Sequence, residues 1–541
     1  MKRMFKLFGQ ETSVRGASLL LIVTLALSNV LGLFRDFFLT RNISYAESDV
    51  YFAAFRIPDT VFNFLILGAI TSAFIPIFAD FVAKKKLDDG YQMASSMINI
   101  ASSAMLVVAV VFFFLMPILV PLIVPNFSLE KIAETVKLSR LLMMTPIFFS
   151  ASYVIGGILN TSRRFLAYSL APLLYNASII FGALWAAPRF GVVGVVYCVV
   201  AGAALHALIQ IPALFHLGFK YSVVANFRDK NIRKILRLMV PRSISLGASQ
   251  MLLTVFTAVA STLAVGAISA FNYSNNIQTV PVVVLGNSFA AAVFPTLAIK
   301  ISENDNKGFA TYLLRAMKSI AFLLIPSSII LVLLRAQIVR LILGSDKIGW
   351  DDTKMTALTL GFFSISLLAQ GLIPLFARAF FALKNTKIPM YASLAMVISS
   401  VILAYPLTKY FSVSGLALAF SVGSFIHLGI LFAALQRRYP DLNLVSLVSS
   451  LEKIVINSLI MGVGVWSAMH VAVNYVDMSH FIGVLVQTVV AVVSGLVIYC
   501  LLSYLAGSEE LKWVFARRIN NSDVKSIAGE QISTVSGSIE D

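Results

Sequence analysis

The sequence predicts an all-α polytopic membrane protein with about fourteen transmembrane helices, and three observations predict it. The 541-residue chain is 59% hydrophobic and only 12% charged, with mean hydropathy +0.88; soluble domains carry about 25% charged residues. Its apolar runs are long and continuous, without the two-residue alternation of a transmembrane barrel. Its charges fall in clusters between those runs. In hydrocarbon every backbone N–H and C=O must be paired internally, so continuous apolar runs have to be helices.

The first span follows the basic start "MKRMFKLFGQETSVRG". Its apolar run continues for about 20 residues with no small-residue cleavage site, which marks a retained helix. The other spans centre near residues 66, 108, 147, 178, 203, 250, 284, 325, 368, 398, 424, 460 and 493. The second, third and eighth runs exceed the ~20 residues needed to cross, which predicts helices that tilt or project from the membrane.

The charge clusters set the topology. "AKKK" at Lys84 to Lys86, "SRR" at Arg163 and Arg164, "RDKNIRKILR" from Arg228 to Arg237, "LKNTK" and "QRR" all fall in even-numbered gaps. The odd gaps are poorer in Lys and Arg: "NYVDMSH" has none, and "GSDKIGWDD" is mostly acidic. This alternation predicts two cytoplasmic termini. The net charge of +17 is therefore loop charge, not a nucleic-acid surface.

The domain organisation follows. Residues 1–219 form a first lobe of six helices, 220–230 a cytoplasmic linker, and 231–440 a second lobe of six. Residues 441–507 carry the last two helices, and 508–541 a polar cytoplasmic tail whose composition predicts disorder. The lobes share a faint repeat. "FNFLILGAITSAFIP" in the second span is similar to "VPVVVLGNSFAAAVFP" in the eighth: each has Gly, then small residues, then Phe and Pro. Two related six-helix bundles are the arrangement of a transporter that rocks one lobe against the other.

Several chemistries are missing. No GxxxxGK[ST] loop cradles phosphates, so the chain carries no ATPase of that kind. No HExxH motif or Cys/His cluster points to a metal. Cys198 and Cys500 are isolated in apolar runs and read as packing residues, as do His206 and His427. The external loops are short for an enzyme, so a transporter without cofactor is expected.

The charges inside the spans are the candidate site. "ALSNVLGLFRDFF" carries Arg35 and Asp36; Asp49, Arg56, Asp59 and Asn63 open the second span. Asp49, Arg56 and Asn63 are spaced by seven and share one helical face. Charges near a membrane surface can snorkel to water or cap a helix end. Alternatively they line a hydrated cavity, as intramembrane ionisable residues generally do. Arg56 lies about 10 Å beyond Asp49 along the helix, and that depth on a shared face favours the cavity.

Together, "SNVLGLFRD", "SDVYFAAFRIP", "GAITSAFIPIFADF", "ILNTSRRFLAYSLAPLLYN" and "LFARAFFALKNTKIP" resemble the MurJ (MviN) lipid II flippases of the MOP exporter superfamily, over nearly the whole chain. The resemblance implies two lobes around a cationic cavity for the diphosphate and sugar-peptide head of lipid II. It implies a groove on the last two helices for the polyprenyl tail, and a cycle driven by an ion gradient or the membrane potential. It assigns substrate contacts to Arg35, Asp36, Arg56 and Arg378, and a gate to Asp49. Asn29, Asn63 and Asn276 join the substrate set because they occupy or adjoin positions that are basic in the family. There the family's paired Arg is replaced by Phe62 and Asn63, and the "DR" of its "YADR" by Asn275 and Asn276. An Arg fork binds phosphate bidentately, whereas Asn donates without charge. Membrane lipids and cell-wall synthesis proteins are the further partners, and the bacterial cytoplasmic membrane the location, that the resemblance implies. The alternatives are a flippase for another polyprenyl-diphosphate glycan, a multidrug/cation antiporter of the same superfamily, and a non-transporting scaffold.

Overall fold

A computed structural model of the chain describes residues 14–67, 74–440 and 442–511, and these are helical with no strand among them. The expected tail beyond 511 lies outside the described residues.

The first run of helices is α1 (Val14–Asn42), α2 (Tyr45–Phe62), α3 (Ile75–Ala83), α4 (Leu87–Ile123), α5 (Leu129–Leu142), α6 (Thr145–Thr161), α7 (Phe165–Phe181), α8 (Ala187–Leu208) and α9 (Ile211–His216). The second is α10 (Lys230–Ser261), α11 (Ala267–Pro281), α12 (Ser288–Ser302), α13 (Asn306–Leu333), α14 (Arg335–Leu343), α15 (Trp350–Ser364), α16 (Leu367–Ala382), α17 (Lys387–Phe411) and α18 (Ser414–Arg438). The hairpin of α19 (Leu444–Val473) and α20 (Phe481–Leu505) closes the fold. It packs on α13, where Tyr499 Oη donates to the Phe322 carbonyl at 2.8 Å.

Two of the runs read as long are long. α4 has 37 residues, and the Ala267–Ser302 run has 36. Either is about 55 Å, well beyond the ~30 Å hydrocarbon core. The surplus of α4 serves as a clamp. Its Ser96 Oγ accepts from the Asn226 backbone at 2.8 Å, and Asn99 Nδ2 donates to the Ser222 carbonyl at 2.9 Å, strapping residues 222–226 against the helix.

The count of fourteen is not reached by length and composition. Among the described residues ten helical runs are long and apolar enough to cross, or eleven if α15 and α16, bent by 46°, are one span. The count runs over the described residues, which stop at 67 and resume at 74 within the second span, and among which the apolar stretch of α10 is Gly247–Ser261. The Phe165–His216 run counts once at 52 residues, although α7 and α8 pack side by side and Gly191, near the start of α8, breaks the helix with φ +62°.

Among the described residues three complete widened π-helical turns occur: Asn63–Leu67 after α2, Gly182–Ala186 after α7 and Val282–Asn287 after α11. The first and third fall on the two segments that repeat in sequence. In the third, Gly286 lies so close to α16 that an added Cβ would sit 2.6 Å from the Gly371 Cα.

Candidate functional site

The site is built where α1 and α2 meet α10 and α11. A two-residue connection joins α1 to α2, and Ser44 starts α2 through a reciprocal capping box: Glu47 Oε2 accepts from the Ser44 N–H at 2.8 Å, and Ser44 Oγ from the Glu47 N–H. That fixed start sets the phase of α2, so that Asp49 and Arg56 both face the second run of helices.

Asp49 closes the top of α11. The N-cap of α11 is Gly266, which has φ +88° and no side chain to satisfy the first turn. A side chain there would also collide with Tyr45, since an added Cβ would lie 2.9 Å from its ring. Asp49 supplies the missing acceptor from another helix. Its carboxylate accepts from the Gly266 N–H at 2.6 Å, the Ser269 N–H at 2.8 Å and the Ser269 hydroxyl at 2.7 Å. A carboxylate at a helix N-terminus also gains from the helix dipole. Asp49 is 3% exposed.

Two turns further, Arg56 crosses the same junction. Its Nε donates to Thr257 on α10 at 2.7 Å, and one Nη donates to Asn272 on α11. Around this pair Ser48 meets Tyr273 at 3.1 Å and Tyr45 meets Thr356 at 2.7 Å. Ser345 and Lys347 donate to the end carbonyls of α1, at Thr40 and Asn42, both at 2.6 Å.

Arg35 and Asp36 form the second cluster. Arg35 places Nε and Nη2 on one oxygen of Asp36, at 3.0 and 2.9 Å. The other carboxylate oxygen accepts from Asn276 of α11 at 2.8 Å. Asp36 is fully enclosed, whereas the Arg35 side chain is 21% exposed. The carboxylate thus holds the guanidinium in place while leaving part of it open to a ligand.

The structure brings together Arg35, Asp36 and Asn276, and separately sets Asp49 and Arg56 into the α10–α11 wall. The other three candidates make no hydrogen bond to either group. Asn29 donates to the Leu25 carbonyl and Asn63 to the Asp59 carbonyl, each turned back on its own helix at 2.8 Å. Arg378 donates to the Asn287 carbonyl at 3.1 Å, at the end of the third π turn. The sequence reading missed Thr257, Ser269, Asn272 and Tyr273. Asn272 and Tyr273 carried a signal, as part of the run "NYSNN"; Thr257 and Ser269 carried none. His206 is hydrogen-bonded to Ser152 at 2.7 Å, as a packing role requires, but His427 Nδ1 is buried without a partner among the described residues.

Asn276→Arg is expected to lock this junction. An Arg there would face a carboxylate, replacing a neutral donor by a charged one, a gain on the order of 1 kcal/mol. The closed arrangement should be favoured about fivefold. Transport by reconstituted protein should slow; an unchanged or faster rate would refute the locking role.

Helices paired in two successive runs, with hydrogen bonds stitching one run to the other, are the arrangement of a membrane transporter of the MOP superfamily fold. A solved inward-facing MATE transporter of that superfamily shares the fold, with a TM-score of 0.67 at 16% identity over 77% of this chain and 95% of its own. The chain belongs to the lipid II flippase MurJ family, whose family model matches residues 44–486. The solved structure of a lipid II flippase MurJ in its inward closed conformation matches 90% of this chain and 99% of its own, with a TM-score of 0.74 and 25% identity. The probable lipid II flippase MurJ of Rhizobium tropici is 28% identical over 403 residues, 72% of this chain and 75% of that protein.

Proposed function

We infer that this chain moves lipid II across the bacterial cytoplasmic membrane by alternating access. The observation that carries the reading is the family match across residues 44–486, over which the same fold is kept. In this reading the spans number fourteen and both termini are cytoplasmic. Residues 1–219 and 231–440 are the rocking lobes, 220–230 is the linker, and 441–507 carry the groove for the polyprenyl tail. Arg35, presented by Asp36, meets the diphosphate. Arg56 and Arg378 add positive charge, and Asn29, Asn63 and Asn276 add hydrogen bonds. Asp49 gates the outer face by holding the first turn of α11. An ion gradient or the membrane potential resets the cycle, and cell-wall synthesis proteins receive the product.

The test is rescue of a bacterium depleted of its own lipid II flippase. Growth and normal cell shape are expected on expression of the wild-type chain, and lysis on expression of Arg35→Ala at equal membrane abundance. Failure of the wild type to rescue, with the protein present in the membrane, would move the substrate to another polyprenyl-diphosphate glycan.

A further inference from the structure

A cleft of about 690 Å³ lies between α2, α4 and α10, apart from the Arg35–Asp36 cluster. Its walls are apolar, with Phe64, Leu122 and Met251 at its rim. These three are 43%, 69% and 59% exposed, and all lie in helices whose outer surface meets lipid. Its polar lining is confined to Arg56, Thr60 and Thr254. Arg56 is the lining residue nearest the start of α2 and Thr254 the one nearest the end of α10, so the polar groups share one end of the cleft.

A cavity with such walls does not hold water, which needs several polar partners. Inside the bilayer the fluid with direct access is lipid hydrocarbon. The polar end carries a donor to match a lipid's oxygen-bearing end. Arg56 uses Nε and one Nη across the junction, and its second Nη has no hydrogen bond among the described residues. The geometry points to a binding site for one acyl chain of a membrane phospholipid, with the chain between α2, α4 and α10 and the lipid's ester or phosphate oxygens toward Arg56.

The site is selective for this state of the protein. Two of its walls belong to the first run of helices and one to the second. The residue at its polar end is the same Arg56 that holds Thr257 and Asn272. A chain in the cleft therefore fills a space that exists only while the two runs are joined here, and its occupancy favours the joined state. This role is independent of which head group the transporter moves.

The experiment uses full-length protein in lipid nanodiscs that contain phosphatidylcholine with a diazirine in its acyl chain. After irradiation, labelled residues are mapped by mass spectrometry. Labelling is expected to concentrate on Phe64, Leu122 and Met251 relative to Ile402 of α17, which is 66% exposed. Ala248→Phe, which fills the cleft from α10, should lose that labelling. Leu122→Trp, at the exposed mouth, tests the same point without disturbing the core. Asp49→Ala, which releases the junction, should lower the labelling too. Labelling no stronger than at Ile402 would overturn the site, and labelling unaffected by Asp49→Ala would overturn its state dependence. Labelling by a diazirine-bearing polyprenyl diphosphate, with none by the phospholipid, would overturn the choice of occupant in favour of the transported lipid's tail.

Discussion

Replacing Asp49 with alanine is expected to shift the protein out of this closed state by about 30- to 150-fold. The Asp49 carboxylate is the acceptor for two backbone N–H groups and one hydroxyl at the start of α11. Without it the N–H groups of Gly266 and Ser269 are buried and unpaired, at about 1–3 kcal/mol each. The Ser269 hydroxyl loses less, because the Tyr45 carbonyl is already within 3.0 Å as a second acceptor. A net cost of about 2–3 kcal/mol remains after partial relaxation. It falls on the closed state alone, since both N–H groups reach water once the junction opens. A Ser48→Cys thiol reports the opening, because Ser48 is fully buried against Tyr273. With Cys198 and Cys500 replaced by serine, an impermeant thiol reagent should label that cysteine faster in the Asp49→Ala background. Asp49→Asn keeps the shape and one acceptor and should fall between. Equal labelling rates with and without Asp49 would remove the gate from this residue.

The second large effect concerns Arg35 and Asp36. Arg35→Ala strands a carboxylate with no exposure, leaving only the neutral amide of Asn276 to satisfy it. Breaking a buried pair from one side costs about 3–5 kcal/mol, and the partial exposure of Arg35 brings the expected figure to about 2–3 kcal/mol. Adding Asp36→Asn removes the stranded charge. The double variant should therefore unfold at a higher temperature than Arg35→Ala alone. Transport should not return with it, because the guanidinium proposed to meet the diphosphate is still missing. Arg35→Lys should recover part of the activity, since it keeps the charge but not the planar fork. Thermal unfolding of the purified proteins, read beside transport in proteoliposomes, separates these effects. Strictly additive losses in stability would mean the pair does not act as a unit.

How much of this was legible depends on the distance over which each contact acts. The membrane class followed from composition, and the extra length of α4 from one unbroken run. The shared face of Asp49 and Arg56 followed from a spacing of seven. Their partners did not, since Ser269 and Thr257 lie more than 200 residues away and no local period connects them. Asn29 and Asn63 were legible as positions only. Each amide hydrogen-bonds to the carbonyl one turn back, a local choice that a polar residue in an apolar helix always has. The division of 165–216 was legible as well: the apolar pattern places spans near 178 and 203, and the backbone breaks at Gly191, with φ +62°, between those two centres.

The π turns carry a consequence for helical phase. One extra residue in a turn rotates everything beyond it by about 100° relative to an uninterrupted helix. One continuous span can then offer one azimuth to its neighbours above the turn and another below it. In the Ala267–Ser302 span, the azimuth above the turn carries Ser269, Asn272 and Asn276 toward α1, α2 and their bound side chains. Just below it, the Asn287 carbonyl is turned toward Arg378 on α16. Deleting a single residue between Val282 and Asn287 would leave composition and hydropathy almost untouched. It would also swing the entire lower half of the span by a quarter turn or more, so the two ends of the helix could no longer be seated at once.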